Sequence, residues 1–277
     1  MSETGTLYAQ AKQRMKELGL EPQKGLGQNF LVSSGVVTKI VAAVQGENPT
    51  ALLEIGPGVG ALTEGLLGLN LPLQLLEFDR QLAKYWRERG QVVIEGDALK
   101  ADWAELAPQS QTVLVSNLPY QISTSLVVDL SLGPANISSM VLMFQKEVAE
   151  RLLAKTRTDA YGMLSVMTQS HWQVQRLLEA GPGDFWPAPK IASQVICFKR
   201  KAAPYPGREK SYLNFLKGAF SQPRKLLAKN LLARPSKSGL NQEATKQALQ
   251  DLGLNPMVRA EELTVSQFEQ LYAKVGF

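Results

Sequence analysis

The sequence predicts an α/β fold: a mostly parallel, doubly wound sheet with an antiparallel edge, followed by a small helical domain. Two observations carry this. Short apolar runs alternate with helical patterns up to about residue 200, and beyond residue 205 the pattern is helical throughout. Strands separated by helices are the signature of a parallel sheet with helices on both faces.

The elements can be taken in order. The first ~25 residues read as a polar helix followed by a glycine-bearing stretch, KGLGQ (24–28). ALLEI (51–55) is an apolar run ended by glycine, as expected of a strand buried on both faces. LQLLEF (73–78), QVVIEG (91–96), TVLVSN (112–117) and SMVLMF (139–144) repeat that character. Helical patterns lie between them, among them LTEGLLGL (62–69) and the stretch from Gln145 to Ala154. VQRLLEA (174–180) and QVICFK (194–199) are two further strands. GPGDFWPAPK (181–190) would join them as a hairpin and so supply the antiparallel edge. KRKAAPYPGREK (199–210) has linker composition. YLNFLKGAF, KLLAKNLLAR, QEATKQALQDLG and TVSQFEQLYAKV are then helices of a second domain. The expected division is 1–204 and 205–277, which suits a chain of 277 residues.

Composition excludes several chemistries. One cysteine, Cys197, and one histidine, His171, leave no intramolecular disulfide and no Cys/His metal site. No apolar run reaches the roughly 20 residues of a membrane span, and the N-terminus has no signal-peptide core. The expectation is a cytoplasmic, monomeric protein that needs no metal. Net charge is +5, but its distribution says more: between Lys199 and Lys237, 11 Lys/Arg stand against the single acid Glu209. So concentrated a positive charge fits a surface that meets a polyanion such as RNA.

The motif LLEIGPGVGALTE (52–64) sets Gly56, Gly58 and Gly60 between a strand and a helix. Alternating glycines let the backbone turn tightly and approach a ligand. A dinucleotide fingerprint would need a third glycine where Ala61 stands, so an adenosine-type ligand without pyrophosphate fits better. The next two strands end in acids. Glu77 stands about 20 residues beyond the glycines, where a carboxylate takes ribose hydroxyls. Asp97 can accept from an adenine amino group. Each acid alone is commonly a solvated strand end; Gly, Glu and Asp on three consecutive strand ends form a much sharper signal.

The fourth strand ends in Asn117-Leu118-Pro119-Tyr120. An adenine amino nitrogen is a poor nucleophile because its lone pair is delocalised into the ring. Two acceptors on its N–H bonds favour a pyramidal, more nucleophilic nitrogen. The side-chain carbonyl of Asn117 and the backbone carbonyl of Leu118 or Pro119 can form that pair. Tyr120 offers a face for base stacking. Phe185 or Trp186 would supply a second aromatic on an exposed ledge made stiff by two prolines.

On these motifs, with GLGQNFL (25–31), EFDR (77–80), MFQKEVAERLL (143–153), FWPAPKIASQV (185–195), AFSQPRKLLAKNL (219–231) and NPMVRAEELTVSQFEQL (255–271), the chain resembles the ribosomal RNA adenine dimethyltransferases. The resemblance runs nearly end to end. It implies the class I S-adenosylmethionine-dependent methyltransferase fold with a helical C-terminal domain. It implies methyl transfer from S-adenosylmethionine to two adjacent adenosines near the 3′ end of small-subunit ribosomal RNA. Asn29 and Leu31 would cover the cofactor, and Gly56, Glu77, Asp97 and Asn117 would contact it. Arg224, Lys225, Lys229 and Arg234 are the expected phosphate contacts, with Lys225 and Lys229 on one helix face. Two departures concern RNA contact: Pro223 stands where the family has the first of two arginines, and Ala192 where it has an acid before serine. The rival readings are a large-subunit RNA adenine methyltransferase of the macrolide-resistance type, a non-catalytic RNA-binding assembly factor and a dehydrogenase. The Asn-Leu-Pro-Tyr motif, the RAEEL run and the C-terminal helical pattern disfavour the first, the intact acids and Asn-Leu-Pro-Tyr the second, and the glycine spacing the third.

Overall fold

The computed structural model describes residues 3–23, 27–202, 210–232 and 242–275. The chain forms two compact units. One comprises the residues up to Ala149 together with Gln175–Arg200; the other comprises Glu150–Val174 and the residues from Lys201 on.

In chain order the first unit opens with helix α1 (Glu3–Glu17), strand β1 (Phe30–Leu31) and helix α2 (Ser34–Gly46). An alternating series follows: β2 (Ala51–Ile55), α3 (Ala61–Leu67), β3 (Leu73–Glu77), α4 (Arg80–Glu88), β4 (Val92–Glu95), α5 (Trp103–Leu106), β5 (Thr112–Asn117), α6 (Ser123–Leu132) and β6 (Ile137–Gln145). Then come α7 (Lys146–Leu153), α8 (Met163–His171), β7 (Trp172–Ala180), β8 (Phe185–Trp186) and β9 (Ser193–Arg200). The second unit ends with α9 (Lys210–Ala219), α10 (Leu227–Leu232), α11 (Gln242–Asp251) and α12 (Val265–Val275).

Seven strands form one sheet in the order β4-β3-β2-β5-β6-β9-β7. The pairs from β4 to β6 are parallel, and β9 runs antiparallel to β6 with Val141 opposite Cys197. All five residues of β2 are buried, as a central parallel strand requires, whereas the edge strand β4 exposes Val92 and Glu95. Strand order reverses between β2 and β5. Open α/β sheets bind ligands beyond the carboxyl ends of the strands at such a reversal.

The expected strands and helices therefore occur near their expected positions, and the 181–190 loop does join strands that are neighbours in the sheet, β7 and β9. Two features differ from expectation. Within that loop β8 pairs with β1, Leu31 opposite Phe185 and Phe30 opposite Trp186. Such a pair joins residues more than 150 positions apart and leaves no local pattern. Second, 150–174 belongs to the same compact unit as the C-terminal helices, because α8 packs on α9 and α12. Leu164, Met167, Thr168 and His171 of α8 are buried, and Ser170 Oγ lies 3.0 Å from Tyr212 Oη of α9. The expected boundary at 204/205 lies outside the described residues.

His171 is buried, with Nδ1 2.9 Å from the carbonyl oxygen of Met167, and burial pushes the Cys197 thiol up to about 11. Both have structural surroundings. Among the described residues, no helix is long and apolar enough to cross a membrane.

Candidate active site

A cavity of about 300 Å³ opens at the carboxyl ends of β2 to β5. Each strand contributes its terminal residues, and local structure explains the order. After β2 the chain turns through Gly56 at φ +65°, Gly58 at +53° and Gly60 at +90°, conformations in which a side chain would be strained. A Cβ at Gly56 would point into open space, so that face of the loop is available to a ligand.

Glu77 ends β3 and is buried. Its Oε1 accepts from the Asp79 N–H at 2.9 Å, and its Oε2 accepts from the Gly58 N–H at 3.2 Å. Burial pushes its carboxyl above the ordinary range, against the pull of those N–H groups. Asp79 in turn caps α4, accepting from Gln81 and Leu82. Asp97 repeats the device after β4: Oδ1 accepts from Leu99 at 3.0 Å. An acid two residues past a strand can thus shape the turn with one oxygen and offer the other to a ligand.

Asn117 ends β5. Its Nδ2 donates to the main-chain carbonyl of Asn29 at 2.9 Å, and Asn29 Nδ2 donates to the Gly27 carbonyl at 3.1 Å. The amide is thereby oriented with nitrogen toward the N-terminal segment. In the turn that follows, the Pro119 carbonyl accepts from the Ile122 N–H at 3.2 Å. Tyr120 Oη lies 2.8 Å from Ser193 Oγ, and Ser123 Oγ donates to the Tyr120 carbonyl at 3.0 Å. Burial pushes the Tyr120 phenol above its ordinary value, partly offset by Ser193.

Nine of the expected residues line this one cavity: Asn29, Leu31, Gly56, Glu77, Asp97, Asn117, Leu118, Pro119 and Tyr120. Phe185 does not. It is 4% exposed and packs in the same apolar cluster as Leu31. The expected exposed ledge is corrected here: pairing with β1 turns Phe185 into the core, and alternation leaves Trp186 half-exposed against Phe30 and Tyr8.

Arg224, Lys225 and Lys229 are exposed in the second unit. Lys225 does not share a helix with Lys229. It closes a turn over Gln222-Pro223-Arg224, its N–H donating to the Gln222 carbonyl at 3.0 Å, and α10 starts only at Leu227. Pro223 fixes φ for such a turn, and buried Asn230 ties it down by donating to the carbonyls of Ala219 (2.8 Å) and Gln222 (3.0 Å). Arg234 lies outside the described residues.

Sequence reading missed three lining residues. Phe78 and Leu99, adjacent to Glu77 and Asp97, present exposed apolar side chains. Glu54 is 2% exposed in the middle of the sheet, and burial beside Glu77 pushes it up to about 8. An acid inside an otherwise apolar strand was the available signal. The described lining holds the carboxylates Glu77, Asp79 and Asp97, the carboxyl of Glu54, which burial keeps protonated, and no Lys, Arg or His. Such a set repels phosphate and suits a cationic nucleoside. S-adenosylmethionine, with its sulfonium and ammonium groups, fits that donor set; a dinucleotide does not.

Comparison with known proteins agrees with this geometry. Residues 20–275 match the family of ribosomal RNA adenine dimethylases. The chain is 48% identical over 266 residues to ribosomal RNA small subunit methyltransferase A of Bdellovibrio bacteriovorus, covering 96% of this chain and 97% of that protein. It is 39% identical to the protein of the same name from Syntrophotalea carbinolica, covering 90% and 95%. Among solved structures it is similar to a dimethyladenosine transferase from Plasmodium falciparum, with a TM-score of 0.75, 25% identity, and coverage of 90% of this chain and 98% of that one. The 23S rRNA methyltransferase ErmE shares the fold, with a TM-score of 0.64 at 24% identity and coverage of 90% and 100%.

Proposed function

The chain belongs to the ribosomal RNA adenine dimethylase family, and from that premise we propose that it transfers methyl groups from S-adenosylmethionine to the amino groups of two adjacent adenosines near the 3′ end of small-subunit ribosomal RNA. The observation that carries the reading is the Asn117 amide, fixed by Asn29 in the lining of a cavity whose other residues include acidic and apolar side chains. The high identity to small-subunit enzymes favours this substrate over the large-subunit alternative.

Within the cavity, Glu77 would hold the ribose hydroxyls of the cofactor and Asp97 would accept from its adenine amino group, with Phe78 and Leu99 as the apolar side chains beside them. When bound, S-adenosylmethionine supplies an electrophilic methyl group. The target adenine must leave its stack to enter. Because Asn117 Nδ2 is committed to Asn29, its Oδ1 is the atom that accepts from the target amino group. The Pro119 carbonyl is engaged by Ile122, so the Leu118 carbonyl is the second acceptor. The paired acceptors hold the nitrogen lone pair toward the methyl donor. Tyr120, tethered to Ser193, stacks on the base. Neither imidazole nor thiolate takes part, and the reading includes no metal.

Arg224, Lys225 and Lys229 position the RNA through phosphates. The protein acts in the cytoplasm as a monomer on a pre-ribosomal particle. The test is methylation of small subunits from a strain lacking this enzyme, with product adenosines mapped by primer extension. Two adjacent stops near the 3′ end are expected; modification confined to large-subunit RNA, or none, would overturn the reading.

A further inference from the structure

Two residues outside the cavity grip the backbone of the glycine loop. Trp86, buried on α4, donates from Nε1 to the Gly58 carbonyl at 2.9 Å. Arg14, on α1, donates from Nη1 to the next carbonyl, that of Val59, at 2.5 Å. Its Nη2 meets Glu64 of α3 at 2.6 Å, and its guanidinium carbon lies 5.9 Å from the centre of the Trp86 ring. Neither Arg14 nor Trp86 lines the cavity.

The grip also explains Gly60. A Cβ there would lie 2.5 Å from a Trp86 ring carbon and 2.7 Å from Arg14 Nη1, so the loop closes against both side chains only without one. Trp86 and Arg14 thus hold the Gly58 and Val59 carbonyls, while the Gly58 N–H, in the preceding peptide unit, donates to Glu77. The loop and the ribose-binding carboxylate are thus one hydrogen-bonded assembly, and Arg14 is its anchor on the N-terminal helix. That helix is also seated by apolar packing, Ala11 and Met15 with Phe30, Val32 and Val59 of the loop itself. Ala11, Arg14 and Met15 share a face at three- and four-residue spacing.

We infer that Arg14 is a positioning residue of the cofactor site, holding the glycine loop from α1 in the shape that receives the nucleoside. The inference rests on the reading of the cavity as an S-adenosylmethionine site. Its alternative is a plain ion pair to Glu64, which is half-exposed and so weak by itself. The bond to the Val59 carbonyl is charge-assisted and largely shielded, the stronger kind.

The two roles separate in full-length variants titrated calorimetrically with S-adenosylmethionine. Arg14→Met should weaken binding about tenfold, the scale of one charge-assisted hydrogen bond. Glu64→Gln should change it by no more than about twofold. Arg14→Lys should recover part of the loss, because an ammonium can still donate to Val59. In turnover, KM for S-adenosylmethionine should rise while kcat at saturation and affinity for the ribosomal particle hold. Equal losses in Arg14→Met and Glu64→Gln, or parallel loss of cofactor and particle binding, would overturn the inference. Wild-type protein that binds no S-adenosylmethionine would overturn the cavity reading itself, a separate failure.

Discussion

The side-chain nitrogen of Asn117 donates to the main-chain oxygen of Asn29 at 2.9 Å, joining the end of β5 to a segment 88 positions earlier. This bond decides which end of the amide is left for the cavity that Asn117 lines.

Asn117→Ala should therefore lower kcat by roughly 10²–10³, the scale for loss of an oriented polar group that acts on the transition state. RNA affinity should stay within a few-fold. Asn117→Asp should fail as well, since a carboxylate cannot donate to the Asn29 carbonyl. Single-turnover methylation of small subunits measures both variants, and near-normal dimethylation by Asn117→Ala would remove the amide from the mechanism.

Glu77→Gln keeps an oxygen for one backbone N–H but loses the charge proposed to hold the ribose hydroxyls. Affinity for S-adenosylmethionine should drop about tenfold or more, with the fold intact by circular dichroism. Unchanged calorimetric affinity would take Glu77 out of the cofactor site.

Glu54 should give stability a pH dependence. Its folded-state value is about 8 against 4.5 for the free group, so between those values the folded chain holds a proton that the unfolded chain has released. Stability should fall as pH rises through that window and level off above it. Glu54→Gln removes the dependence, and the variant should be more stable than wild type at pH 8 by about 1–4 kcal/mol. Thermal unfolding from pH 5 to 9 checks this; curves for the two proteins that run parallel would show that Glu54 is ionised when folded.

Replacing Arg224 and Lys225 together should weaken binding to the ribosomal particle and flatten its salt dependence by about one log–log unit per lost phosphate contact. S-adenosylmethionine affinity should not change. Binding across a salt series decides the matter, and parallel lines for wild type and variant would mean that this turn faces only water.

Residue pattern alone locates the strands, their alternation with helices and the polar residues at each strand end. Those features are local. A buried parallel strand must be a short apolar run, the tight turn after β2 needs its glycines, and Asp79 and Asp97 each cap the turn after their strand. The tertiary structure decided what depends on distant partners. Phe185 reads as an exposed aromatic until β8 pairs with Phe30–Leu31, which sends it into the core. Lys225 reads as helical until Asn230 and Pro223 hold it in a turn. The segment 150–174 reads as part of the first domain until α8 finds α9 and α12. Arg14 reads as one more charge on a polar helix, because nothing within a few residues of it reveals that its guanidinium closes on a carbonyl 45 positions away. Local pattern fixes which groups are present; long-range pairing fixes which way they point, since a side chain's direction is set by whatever it packs against.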